Sequence, residues 1–88
     1  MPSNNRDAAS VWDMTQAIQN IQLFTKNLTF DAYLQDVLVI SAVERQFEVL
    51  GEAARRISID LQQTHPDIDW QRIIGLRNII AHRYDEVR

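Results

Sequence analysis

Between residues 40 and 61 one apolar spacing repeats long enough to fix the architecture. Ile40, Val43, Phe47, Leu50, Ala54, Ile57 and Leu61 follow one another at alternating intervals of three and four. That is a heptad seam, and a seam kept over three heptads requires a long helix with a packing partner along one side. The reading places one continuous helix at roughly 37–63 as the spine of the domain. Glu44, Glu48, Glu52, Arg55 and Arg56 fall on much of the opposite side, with Glu52 and Arg56 spaced as an i, i+4 ion pair.

The other segments are helical too. Val11, Met14, Ile18, Ile21 and Thr25 trace one buried face of a helix over about 8–26, started either by a Ser10–Asp13 capping pair or, if it begins earlier, by Asp7. Asn27-Leu28-Thr29 breaks that pattern, and Thr29 can cap a short helix holding Phe30, Tyr33 and Leu34, with Asp31 in its first turn. Thr64-His65-Pro66-Asp67 ends the spine, because the residue before proline is driven out of helical angles. Asp67 or Asp69 then caps a last helix from about Trp70 to Tyr84. Gly51 and Gly75 lie inside helical patterns, where each costs about 1 kcal/mol relative to alanine, so close approach of another backbone is the expected compensation. No strand candidate survives. The expectation is an all-α, antiparallel helical bundle forming one domain over residues 1–88, with 1–6 as a flexible lead-in.

A chain of 88 residues buries a modest share of its surface, so a second copy or a partner would help it. The absence of cysteine removes disulfides, thiolate metal sites and cysteine nucleophiles. Of the two histidines, His65 sits before Pro66 in a loop, so neither a metal centre nor any cofactor is expected. No basic apolar leader or long apolar span is seen, which points to a soluble cytoplasmic protein with no membrane partner. A net charge of -3 argues against a protein that coats nucleic acid through a general field. The charge is uneven, however: residues 70–88 carry four arginines against two carboxylates, whereas residues 1–69 carry five cations against ten. A polyanion should approach the C-terminal quarter, where Arg72 and Arg83 are the candidate binding cations beside Arg77.

Arg77-Asn78-Ile79-Ile80-Ala81-His82-Arg83-Tyr84 gathers a guanidinium, an imidazole and a phenol into eight positions. At about 100° per residue, Trp70, Ile73, Ile74, Ile80, Ala81 and Tyr84 share a broad apolar side with Arg77 in its middle. Leu76 and Ile79 widen it, which suggests contact from two directions, with a second subunit the economical candidate. An arginine there needs a carboxylate from Glu44, Glu48 or Glu52, a ligand, or a wet cleft. His82 lies about 140° around an ideal helix from Arg77, so joint action requires a loosened helix end or a twofold axis that builds a composite cleft. Two imidazoles could then divide base and acid duties in phosphodiester cleavage, while arginine forks hold the phosphate. The plainer alternatives are a cation at a helix C-terminus for His82 and an amphipathic core residue for Tyr84.

Arg77-x-x-x-x-His82-x-Tyr84, preceded by Trp70-Gln71-Arg72-Ile73-Ile74-Gly75-Leu76, by Gly51-Glu52-Ala53-Ala54 and by His65-Pro66, resembles the HepT toxins of the HEPN superfamily over most of the chain. The resemblance implies a homodimeric HEPN bundle with the motif of each subunit lining a shared cleft. It also implies metal-independent cleavage of RNA by a toxin of a prokaryotic toxin–antitoxin pair. Arg77 and His82 match the family's catalytic positions and Asn78 the supporting polar residue. Tyr84 matches the tyrosine that an MNT-type nucleotidyltransferase antitoxin modifies with AMP. Family members commonly continue with another helix after this tyrosine, whereas this sequence stops at Arg88, so the bundle could lack the usual C-terminal helix. The competing reading is a non-catalytic helical dimerisation or binding module that holds a nucleotide or protein partner.

Overall fold

The computed structural model describes residues 5–80, and all regular structure among them is helical. The elements are α1 (Asn5–Thr25), α2 (Phe30–Leu34), α3 (Val37–Arg56), α4 (Ile59–Gln63) and α5 (Trp70–Ile74). After a turn at Gly75 the chain is helical again over 76–80. The fold is an all-α bundle.

Helix α1 starts at Asn5, inside the stretch expected to be a flexible lead-in, and residues 1–4 lie outside the described ones. The late start at Ser10 is therefore wrong. Ser10 is buried within the helix, and Asp7 in the first turn reaches across to the far end of the spine. The Ser58 backbone N–H donates to Asp7 Oδ1 at 2.8 Å and the Ser58 hydroxyl to Oδ2 at 2.6 Å. Further along, Arg56 faces Asp13 at 3.9 Å and Asn20 donates to Gln46 at 3.2 Å. Rising numbers on α1 thus meet falling numbers on α3, so the two long helices run antiparallel.

The face of α1 differs from the apolar stripe. Ser10 and Ala17 are buried and Met14, Ile21 and Phe24 half-buried, while Val11 and Ile18 are each 43% exposed. Small residues let the helix axes approach, and the branched ones are displaced to the flank. Asn27, at φ 65°, ends the element in the left-handed region that asparagine tolerates. Thr29 caps α2 by accepting from Ala32 N at 3.0 Å, as expected, and Asp36 caps α3 by accepting from Val39 N at 3.1 Å.

The spine is not one helix. Ile57 is extended, at φ -67° and ψ 135°, and Ser58 opens α4 by accepting from Leu61 N at 3.2 Å. The seam survives this break: Val43, Leu50, Ala54 and Ile57 are buried, and Ile40, Phe47 and Leu61 are half-buried. Periodicity ran through the kink because one extended residue kept Ile57 and Leu61 on the core side. Glu44, assigned to the opposite side, is buried.

The last helix is likewise interrupted, at Gly75, instead of running unbroken from Trp70. Asp69 is the cap that forms, accepting from Arg72 N at 3.2 Å. Gly51 is where this segment meets α3. A Cβ there would stand 2.7 Å from the Ile73 carbonyl oxygen and 3.4 Å from that of Ile74. Close backbone approach thus explains Gly51, whereas at Gly75 a Cβ would meet only carbonyls of its own preceding turn, Gln71 O at 3.3 Å and Arg72 O at 3.7 Å.

Helix propensity alone would favour alanine at position 51 by about 1 kcal/mol, but overpacking against a backbone carbonyl costs about 1–3 kcal/mol. Gly51→Ala should therefore lower the urea midpoint. A raised midpoint would show that α5 does not press on α3 at this glycine.

Candidate nucleic-acid cleavage site

The approach at Gly51 sets the next residue, Glu52, against the segment carrying Arg77. Together Glu52, Arg55, Ile74, Arg77 and Asn78 line a cleft of about 280 Å³. Arg77 and Asn78 are both exposed. No ion pair is formed by Arg77 among the described residues, although Glu52 is close enough for the Arg77 charge to act on it. Of the three possibilities for Arg77, a wet cleft is what the fold provides.

Glu52 is committed elsewhere. Its Oε2 accepts from Arg55 Nη2 at 2.6 Å and stands 3.8 Å from Arg56 Nη2, the i, i+4 pair expected from spacing. The hydrogen bond from Arg55 holds the Glu52 carboxyl below its ordinary value; partial desolvation opposes this, and the charges of Arg55, Arg56 and Arg77 reinforce it. The same bond raises Arg55 further. The cleft therefore contains a carboxylate surrounded by guanidinium groups, and the excess charge is positive.

Arg72 is placed differently. It is exposed, pairs with Asp69 at 3.4 Å, and does not line the Arg77 cleft. His82, Arg83 and Tyr84 lie outside the described residues. Glu52 was foreseen as a partner for Arg56 and as one of three candidates to pair with Arg77, and Arg55 only as a charge on the outer face. The signal for both was the glycine: a helix that must touch a second backbone at Gly51 brings the side chain one residue on, and its i+3 neighbour, to the rim of that contact.

A family model described as Ribonuclease HepT-like matches residues 14–88. The chain belongs to the HepT-like ribonuclease family. A protein of Methanocaldococcus jannaschii provisionally named as an RNase (MJ1380) is 32% identical over 86% of this chain and 70% of its own length. A Thermococcus cleftensis protein provisionally named ribonuclease HepT is 35% identical over 82% of this chain and 66% of its own. A second M. jannaschii protein with a provisional RNase name (MJ0127) is 33% identical over 86% and 63% respectively. This chain thus spans about two thirds of the length of these HepT-like relatives. No solved structure matches it. No helix among the described residues is long and apolar enough to cross a membrane.

Because folded Glu52 gives up its proton more readily than the unfolded residue, its contribution to stability is fully present above the ordinary glutamate value of 4.5. That contribution fades as pH falls through the lowered folded value. A side-chain NMR titration should place the Glu52 midpoint below 4.5, and Arg55→Ala should move it upward. A midpoint unchanged by that substitution would remove Arg55 as the main cause.

Proposed function

We propose that this protein is a metal-independent endoribonuclease toxin of a prokaryotic toxin–antitoxin system, acting in the cytoplasm and cutting RNA at a composite cleft of a homodimer. The observation that carries the reading is Arg77, exposed in a cleft and without an ion pair among the described residues, in a chain of a ribonuclease family. An arginine left uncommitted in this way keeps its planar donors for a phosphate.

In the proposed reaction His82 of one subunit takes the proton of the ribose 2'-hydroxyl, whose oxygen attacks the adjacent phosphorus. The bond to the 5'-oxygen breaks, and the second subunit's His82 protonates that leaving oxygen. Arg77 holds the non-bridging oxygens and offsets the charge that grows on them, with Asn78 as a neutral donor beside it. Arg72 and Arg83 draw in the flanking backbone. Support for a second subunit comes from two adjacent isoleucines: Ile80 is buried in its own bundle while Ile79 is 60% exposed. A dimer that covered Ile79 would also bring the two Arg77 segments together.

Control is assigned to Tyr84. An MNT-type nucleotidyltransferase antitoxin would direct the Tyr84 oxygen onto the α-phosphorus of ATP, releasing pyrophosphate and leaving an AMP ester. That ester places negative charge where RNA phosphate must bind, so repulsion and occlusion act in the same direction.

With RNA in the presence of chelator, the protein should cut, and Arg77→Ala and His82→Ala should each slow cutting by about 100-fold or more. Uncut RNA, or cutting that persists in both variants, would end the nuclease reading. Incubation with the antitoxin and ATP should add the mass of AMP to the intact protein and not to Tyr84→Phe. Equal addition to both forms would remove Tyr84 as the acceptor.

A further inference from the structure

Another cleft lies away from Arg77, between α4 and the start of α5. It holds about 720 Å³, and its walls include Gln62, Gln63, Asp67, Asp69, Trp70 and Gln71. Its chemistry differs from that of the Arg77 cleft: no cation lines it, and its amides and carboxylates are set among the apolar side chains of Ile59, Pro66, Ile68 and Trp70. Phosphate is disfavoured there, whereas a flat, neutral group rich in N–H donors fits.

Trp70 supplies the flat surface. Its ring N–H donates to the His65 carbonyl at 3.1 Å, which fixes the indole plane against the 64–69 loop. An aromatic ring immobilised before binding gives a stacking platform at little entropic cost. The polar groups are also partly set. Gln62 Nε2 donates to the Ile57 carbonyl at 3.1 Å, leaving its side-chain oxygen as an acceptor. Asp69 is occupied with Arg72 and the cap of α5. The side chains of Asp67, Gln63 and Gln71 are exposed and make no side-chain hydrogen bond among the described residues. Asp67 is thus the uncommitted carboxylate of the cleft, and a carboxylate accepts from an exocyclic amino group.

Trp70 precedes Arg77 by seven residues, about 10 Å along a helix axis. That is about three stacked nucleotides at 3.4 Å each. The geometry points to a base-binding subsite: an unpaired RNA base bearing an exocyclic amino group stacks on Trp70 and is read at its edge by Asp67 and the neighbouring glutamines, while the phosphate to be cut lies at Arg77. The subsite rests on the RNA-cleaving reading of the Arg77 cleft. Uracil, which has no exocyclic amino group, is discriminated against.

The probes are 2'-O-methyl oligomers of cytidine, adenosine and uridine, which lack the attacking hydroxyl. They are titrated against the full chain carrying Trp12→Phe, so that Trp70 is the fluorophore; Trp12 is 63% exposed and its replacement is mild. Cytidine and adenosine oligomers should quench Trp70 and bind about five-fold or more tightly than the uridine oligomer. Asp67→Ala, a surface change that leaves the fold intact and removes the acceptor, should erase that preference, and Gln71→Ala should weaken binding of all three. Equal binding of the three oligomers by the parent protein, or a preference that Asp67→Ala leaves untouched, overturns the subsite. So does unmodified RNA being cut while no oligomer changes Trp70 fluorescence, and in that case the nuclease reading stands. If no oligomer binds and no RNA is cut, both fall together.

Discussion

The contact between Gly51 and the Ile73 carbonyl determines more of this molecule than any other single approach. A side chain on α3 would hold α5 away, and a separated α5 would carry Arg77 away from Glu52 and Arg55. With only hydrogen at position 51, the carbonyl stands where a Cβ would have its nearest neighbour at 2.7 Å. The helix-weakening effect of a glycine in α3 is offset by the packing it permits, with Ala53 and Ala54 beside it fully buried. The residue that makes the contact has no chemistry of its own, and the residue next to it belongs to the cleft.

A second constraint operates just past the C-terminal end of α3. Both oxygens of the Asp7 carboxylate accept from Ser58, one from its N–H and one from its hydroxyl, so the start of α1 is joined to the point where the spine breaks. Ser58 Oγ in turn accepts from Leu61 N and opens α4. The break redirects the chain into the 64–69 loop and presents α5 to α3 at Gly51. Without the extended residue Ile57, a continuous helix would carry Gln62 and Leu61 past the bundle, and the loop holding Trp70 would have no base to stand on.

The long seam was legible because apolar spacing reports packing directly, and all seven of its positions are buried or half-buried on either side of the break. What spacing could not report was the break itself. Ile57 is apolar and faces the core whether its backbone is helical or extended, and the residue after it, Ser58, is bonded to a carboxylate fifty-one residues away. The α1 face was misread for a related reason. A stripe drawn through the largest apolar side chains selected Val11 and Ile18, whereas a close helix crossing selects small ones, Ser10 and Ala17. At the site, the string from Arg77 to Tyr84 announced its chemistry by residue type, and Arg77 with Asn78 does line a cleft. His82, Arg83 and Tyr84 fall outside the described residues. Which of the three candidate glutamates stands near Arg77, and that Arg55 joins it, emerged only from three-dimensional proximity.

A carboxylate in a cleft proposed to bind phosphate needs a physical reason, since alone it would repel the ligand. Glu52 is not alone. Arg55 binds it at 2.6 Å and Arg56 stands 3.8 Å away, so its charge is spent on cations that belong to its own helix. Arg77 comes from a different element and forms no such pair among the described residues. The effect is to hold the Arg55 guanidinium in place on one wall of the cleft while Arg77, on the other, forms no ion pair among the described residues. If Glu52 were instead to close on Arg77, the cleft would lose the group best suited to a phosphate and keep only exposed surface arginines, which salt screens readily. The competition of Arg55 and Arg56 for one carboxylate is what leaves Arg77 open to a ligand.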